Sequence, residues 1–191
     1  MQKTKLKQRC GWCLGDDLYE EYHDNEWGKP VYDDDILFEF LILETMQAGL
    51  SWITILKKRE NYRNALDGFD SIKIANYDAD KVAALLLDPG IIRHRLKIQS
   101  IINNAQCFLK LQEEYGSFSK FLWKYVHSKP IVNHVKDYKN VPATTALSDQ
   151  LAKDLKKRGF KFVGSTTIYA FMQAVGMVND HEISCYRYDE V

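Results

Sequence analysis

Proline is scarce in this chain, four in 191 residues, and cysteine is equally so. Cys10, Cys13, Cys107 and Cys185 are too few and too scattered for a disulfide framework, which leaves buried thiols or metal ligands and predicts a reducing, cytoplasmic setting. No run of 18 apolar residues occurs, so no membrane span is expected. The basic start, Met1 to Gln8, leads into no apolar block, and a secretory signal is not expected either. Excess charge is lacking too, since 26 Lys and Arg balance 26 Asp and Glu. That balance argues against a protein sticky to nucleic acid over its whole surface, and leaves room for a local basic face. Repeats, low-complexity tracts and convincing apolar alternation are all missing. What is abundant is apolar and aromatic weight, 46% and 13% of residues, which excludes disorder and predicts one ordinary domain with a real core.

The hydrophobic period is helical almost throughout. Lys97 to Gln112 places Ile98, Ile101, Ile102, Ala105, Phe108 and Leu109 at three- and four-residue steps. Asp34 to Gly49 has an acidic start, a dense apolar body and a glycine stop. Ser51 is expected to cap a helix through Leu66, Asp78 one over Ala79 to Leu87, and Ser148 or Asp149 one over Gln150 to Arg158. Ser117 to Val126 and a last helix from Ser165 or Thr166 to Gly176 complete the set. The prediction is an all-α orthogonal bundle of about eight helices, with Ile131-Val132 at most a short extended piece. Ser128 to Leu147 is the longest loop.

Three features fit a bland core poorly. Eight of the eleven residues from Ile36 to Met46 are apolar, yet Glu44 falls on the face of Leu37, Phe40 and Leu41. A carboxylate there either escapes to solvent or a lysine at the helix end, or faces a cleft that receives a polar or cationic ligand; Gln47 would share that cleft. Aromatics crowd the first quarter of the chain: Trp12, Tyr19, Tyr22, Trp27 and Tyr32, followed by Trp52. They read either as core rings or as a stacking slot for a flat heterocycle. Third, soft ligands fall at both chain ends. His181 and Cys185 would share one side of a helix, and Cys10 and His23 could oppose them, with Cys13 an alternative to Cys10. Two Cys and two His complete a closed tetrahedral zinc shell of the structural kind.

The segment from Leu155 to Thr167 joins two predicted helices. Its Gly159-x4-Gly164-Ser165-Thr166 spacing approaches that of a phosphate-binding loop, but Ser165 stands where a lysine is required and no strand precedes it. What survives is a tight hairpin with free amides at a helix N-terminus and Lys156, Lys157, Arg158 and Lys161 around it, suited to a DNA phosphate. Lys57-Lys58-Arg59 and Arg93-His94-Arg95 with Lys97 would extend the basic face.

Longer strings carry a resemblance. Tyr22-His-Asp-Asn-Glu-Trp-Gly28, Gln47-Ala-Gly-Leu-Ser-Trp-Ile53, Gly90-Ile-Ile-Arg-His-Arg95, Lys157-Arg-Gly-Phe-Lys-Phe-Val-Gly164 and Val178-Asn-Asp-His181 are similar to the bacterial 3-methyladenine DNA glycosylase I family, from about Arg9 to Cys185. The resemblance implies a helix-hairpin-helix fold whose DNA anchor uses Gly159, Lys161, Gly164 and Ser165. It implies a structural zinc on Cys10, His23, His181 and Cys185, tying the chain ends together. It implies a base pocket with Glu44 as its catalytic carboxylate and Trp12, Tyr19, Tyr22 and Trp52 as walls. The activity implied is hydrolytic release of free 3-methyladenine from alkylated double-stranded DNA. Lyase activity is not expected, nor is the catalytic aspartate of related enzymes; the nearest acid is Asp180. Residues 1–8 form an extension expected to be mobile, and residues 9–191 the single helical domain, expected to be monomeric. Leu50 is the candidate for filling the gap left by an extruded nucleotide.

Overall fold

The structure, a computed structural model, describes residues 7–191. Residues 1–6, most of the predicted mobile extension, lie outside the described residues. Within it, the Gln8 carbonyl accepts a hydrogen bond from Tyr186 N at 2.9 Å, and the Lys7 ammonium lies 4.5 Å from the Tyr186 ring.

Helices dominate, in the order α1 (Asp17–Asn25), α2 (Asp34–Gln47), α3 (Trp52–Leu56), α4 (Arg59–Ala65), α5 (Ser71–Ala75), α6 (Ala79–Leu87), α7 (Arg95–Tyr115), α8 (Phe118–Trp123), α9 (Ala146–Lys157) and α10 (Ser165–Ala174). The predicted extended piece is real: Ile131–Val132 forms β1, parallel to β2 (Val178–Asn179), with Ile131 beside Val178. No helix of the described residues is long and apolar enough to cross a membrane.

α2 is the axis of the core. Its apolar residues recur on every side, so it buries Leu37, Phe38, Phe40 to Leu43 and Met46 against α7, α8 and α10. Phe38 meets Phe108 of α7 with ring centroids 4.8 Å apart, and Phe108 meets Phe118 at 4.6 Å. Asp33 caps the helix start, accepting from the amides of Asp35 and Ile36. After Gln47 the chain turns at Gly49, whose φ of +81° needs a residue without Cβ.

Several expected boundaries shift for local reasons. The single helix expected over Ser51 to Leu66 is two, because the chain breaks at Lys57-Lys58. Ser51 does not cap an amide there; its hydroxyl bonds Thr54 instead at 2.7 Å. Lys58 donates to the Gly90 carbonyl at 3.1 Å, and Arg59 is buried between Glu26 at 2.6 Å and Glu39 at 2.5 Å. These two side chains are therefore spent on structure and do not extend a basic face. α9 is capped by Thr145, three residues before the expected cap, with Ser148 completing the reciprocal box from inside the first turn.

Lys97 is the clearest correction. It does not belong to the basic face, because it is 6% exposed and its ammonium donates to the carbonyls of Met46 and Ala48 at 2.8 and 2.7 Å. Those are orphan carbonyls at the end of α2, which no further turn of helix satisfies. Lys97→Met is therefore expected to lower stability by roughly 1.5–3 kcal/mol, the scale of charge-assisted hydrogen bonds lost in the interior. Urea unfolding checks this, and an unshifted midpoint would remove the lysine from the role of helix cap.

Candidate active site

The last turn of α2 points Glu44 into a recess of about 200 Å³. Trp12, Tyr19, Tyr22, Trp27, Trp52 and Tyr138 supply its rings, while Gln47, Gln173 and Asp180 add polar groups. Trp12 stands edge-on to Tyr19 and Trp27, with centroids 4.8 and 4.9 Å away, and Tyr22 leans against Trp52 at 5.5 Å. All four rings expected as walls line it, and Gln47 shares it as expected. Tyr32 does not belong to it; this ring packs on Trp123 at 4.5 Å.

Glu44 neither escapes to solvent nor meets a lysine. It is 3% exposed, and its Oε2 has no hydrogen-bond partner among the described residues. Burial alone pushes its carboxyl up to about 8. Burial also raises the Tyr19 phenol to about 12 and that of Tyr22 well above its ordinary value, with Glu44 adding to both. The indole N–H groups of Trp12 and Trp52 are likewise buried without acceptors. Asp180 on the same recess is the opposite case. Its carboxylate accepts from Asn133 Nδ2 at 2.6 Å, Tyr169 OH at 2.7 Å and Gln173 Nε2 at 2.7 Å. Three donors compensate that buried acid, whereas Glu44 has unmet capacity that a donor or a cation would satisfy.

A second cavity of about 190 Å³ continues from Glu44 and Gln47 to Gly49, Leu50, Thr166 and Thr167. It connects the acid to the hairpin between α9 and α10. Gly159 ends α9 with φ +96°, and its carbonyl accepts from Asn103 Nδ2 at 2.8 Å. The buried Asn104 holds the backbone of Lys161 in both directions, accepting from its amide at 2.8 Å and donating to its carbonyl at 3.0 Å. Lys161 itself is exposed. Gly164 precedes α10 without a side-chain cap, leaving the first amides of that helix free for an external acceptor. The Ser165 hydroxyl is engaged with Ser148 at 2.8 Å, so only its amide is available.

On the other side of the recess, Cys10, His23, His181 and Cys185 come together with all four ligand atoms within 4.8 Å of one another. Cys10 Sγ lies 3.5 Å from His181 Nδ1, and Cys185 Sγ lies 3.4 Å from His23 Nε2 and 3.7 Å from His181 Nδ1. A tetrahedral ion with bonds of about 2.3 Å to sulfur and about 2.0–2.1 Å to nitrogen would hold sulfur and nitrogen about 3.6 Å apart, so the donor set fits such a metal. His181 and Cys185 approach through turns after β2 and not along a helix, as their spacing had suggested. Cys13 is not the alternative ligand, since its thiol donates to the Cys10 carbonyl at 3.2 Å. Outer partners orient the set. His23 Nδ1 meets Asp24 at 2.9 Å, and Arg9 clamps that aspartate through two 2.9 Å bonds. The amides of Glu182 and Arg187 donate to the two sulfurs at 3.3 and 3.4 Å.

Sequence reading missed Trp27, Tyr138, Ala170 and Gln173 as lining residues. Trp27 lay in the aromatic cluster, but nothing marked it as a ring that joins the recess to the Cys and His cluster, 4.6 Å from His181. Tyr138 comes from the long loop, where periodicity gives no signal.

The upward shift of the Glu44 carboxyl sets how stability varies with pH. Between pH 4.5 and about 8 the unfolded chain binds fewer protons than the folded one, so stability falls as pH rises through that window. Relative to Glu44→Gln, the native protein should lose roughly 3–5 kcal/mol across it and change little below pH 4. Denaturant melts of both proteins at several pH values measure the difference; parallel curves would mean the acid is hydrated.

Known proteins resemble this chain over nearly its whole length. The family described as Methyladenine glycosylase matches residues 12–188. DNA-3-methyladenine glycosylase 1 of Escherichia coli (strain K12) is 51% identical over 181 residues, 95% of this chain and 97% of that protein. The DNA-3-methyladenine glycosylase of Haemophilus influenzae is 50% identical over 180 residues, 94% and 97% of the two chains. A crystal structure of 3-methyladenine DNA glycosylase I superposes with a TM-score of 0.91 at 52% identity, covering 94% of this chain and 98% of that one. A structure described as the basis of 3-methyladenine recognition by the Staphylococcus aureus enzyme gives 0.90 at 42% identity, covering 93% and 95%. On the match over residues 12–188 and the full-length similarity to these proteins, the chain belongs to the methyladenine glycosylase family.

Proposed function

We propose that this protein excises 3-methyladenine from alkylated double-stranded DNA by hydrolysing the bond between base and sugar. The observation that carries the reading is the buried, unpartnered carboxylate of Glu44 in a ring-lined recess. Methylation at N3 gives adenine a positive charge. The rings attract that charge at about 0.5–2 kcal/mol per contact, and the entering cation favours the ionised form of Glu44, which gives its proton to solvent, opposes the charge and accepts the base's N–H groups. Neutral adenine meets the same walls without the charge. Water adds to the sugar carbon and releases one proton to solvent, the glycosidic electron pair passes to the cationic base, and the base leaves neutral, so little acid assistance is needed. Glu44 acts in recognition and electrostatics. The satisfied Asp180 takes no part in the chemistry, and among the described residues no lysine lines the recess, which suits a monofunctional hydrolase that leaves an abasic site uncut.

A base stacked in a duplex cannot reach a recess of this depth, so the nucleotide must be flipped out. α9, the Gly159–Gly164 turn and α10 serve as the helix-hairpin-helix anchor, with the α10 amides and Lys161 on the phosphates. Leu50, 39% exposed on the loop after α2, fills the gap. Zinc is the metal that two cysteines and two histidines favour, and a shell closed by four protein ligands gives it a structural role. The enzyme acts as a monomer, with residues 9–191 as one domain, in the bacterial cytoplasm.

Two tests follow from this reading. Release of free methylated base from alkylated duplex, followed by chromatography, should fall roughly 100-fold or more in Glu44→Gln while circular dichroism is unchanged. Duplex binding without base release by the native protein would make it a DNA-binding module and no enzyme. Purified protein should carry one zinc per chain, and Cys185→Ser should lose it and melt at a lower temperature. Full zinc content in that variant would remove Cys185 from the ligand set.

A further inference from the structure

Glu182 follows the cluster residue His181 directly, and every polar group it has is committed. Its amide donates to Cys10 Sγ at 3.3 Å. Its Oε2 accepts from Gly11 N at 2.9 Å, and its Oε1 accepts from Tyr138 N at 3.0 Å. A parallel bridge to Val135, with Ile183 N donating to the Val135 carbonyl at 2.8 Å, secures the same stretch of backbone. One carboxylate thus grips two chain segments far apart in sequence, the stretch leading into Trp12 and the loop bearing Tyr138. Both of those rings line the recess.

The two segments are also in direct contact. A Cβ built on Gly11 would stand 2.7 Å from Tyr138 Cε1, so the Tyr138 ring lies flush on that glycine and the clamp determines how closely the two walls approach. Trp12 passes its position on to Tyr19 and Trp27 through edge contacts at 4.8 and 4.9 Å.

We infer that Glu182 is a positioning residue that couples the metal cluster to the base recess, fixing the spacing of the Trp12 and Tyr138 walls from a backbone anchored on Cys10. The inference rests on the reading that the recess takes the methylated base. Both carboxylate bonds are charge-assisted, and removing them frees the loop without touching a metal ligand. A wall displaced by a fraction of an ångström loses stacking with a flat ring, because dispersion contacts decay steeply with separation.

The test uses the zinc-loaded full chain, with free 3-methyladenine titrated by quenching of tryptophan fluorescence and zinc content measured on the same samples. Glu182→Ala should retain zinc and bind the base about 10- to 100-fold more weakly. Glu182→Gln, which keeps one carbonyl acceptor, should fall between it and the native protein. Gly11→Ala should weaken binding through Tyr138 alone, and the double variant should be no worse than the poorer single one. Native affinity in zinc-retaining Glu182→Ala overturns the inference, as does a loss that only tracks missing zinc or losses that simply add. If the native protein itself fails to bind 3-methyladenine, the assignment of the recess fails instead, so the two failures are distinguishable.

Discussion

An acid buried among rings with nothing to pair it is the constraint on which this molecule turns. Desolvating a carboxyl without a partner costs several kcal/mol, roughly, and something in the fold must offset it. α2 does so by burying seven large apolar side chains around Glu44, each contributing on the order of 1.5–3 kcal/mol. The same packing that tolerates the acid also immobilises it, so the carboxyl is held ready in the protein alone and need not reorganise for a ligand. Lys97 serves that rigidity from outside, by closing the carbonyl end of the helix one turn past Glu44.

The recess has no single structural element as its floor. Trp12 precedes α1, Tyr19 and Tyr22 belong to α1, Trp52 opens α3, and Tyr138 comes from the loop before α9. Walls drawn from so many segments need a common tie, and the Cys10, His23, His181 and Cys185 cluster is placed to be one. It joins the start of the chain to the turns after β2 and touches the recess through Trp27, whose ring lies between Trp12 and His181. A metal bound there would do more than add stability, because it would brace an aromatic slot assembled from both chain ends.

How much of this was legible in the sequence depended on whether the signal was local. The apolar run of α2 and the odd carboxyl within it were readable, because a helix buried on all sides leaves no polar face to hide Glu44. The break at Lys57-Lys58 was not, for no proline or glycine marks it, and the bond of Lys58 to the distant Gly90 carbonyl leaves no local signal. Lys97 misled for the converse reason: a lysine is exposed by default, and only the end of another helix makes its burial favourable. The pairing of Ile131 with Val178 and the entry of Tyr138 and Gln173 into the recess are contacts across many residues, invisible to periodicity. The four soft ligands could be named from their residue types and the family likeness, but the geometry that joins them is made of turns.

One helix carries both ends of the site. Thr166 and Thr167 of α10 line the cavity that leads to Leu50, Ala170 borders both cavities, and Gln173 lines the ring-lined recess. These residues recur at three- and four-residue steps, so they form a single stripe along a rod whose rise is about 1.5 Å per residue. Substitutions on the opposite face leave that stripe in place. Adding or deleting one residue ahead of Ala170 would rotate Gln173 by about 100° away from the rings. This segment can therefore drift in composition while its length stays frozen.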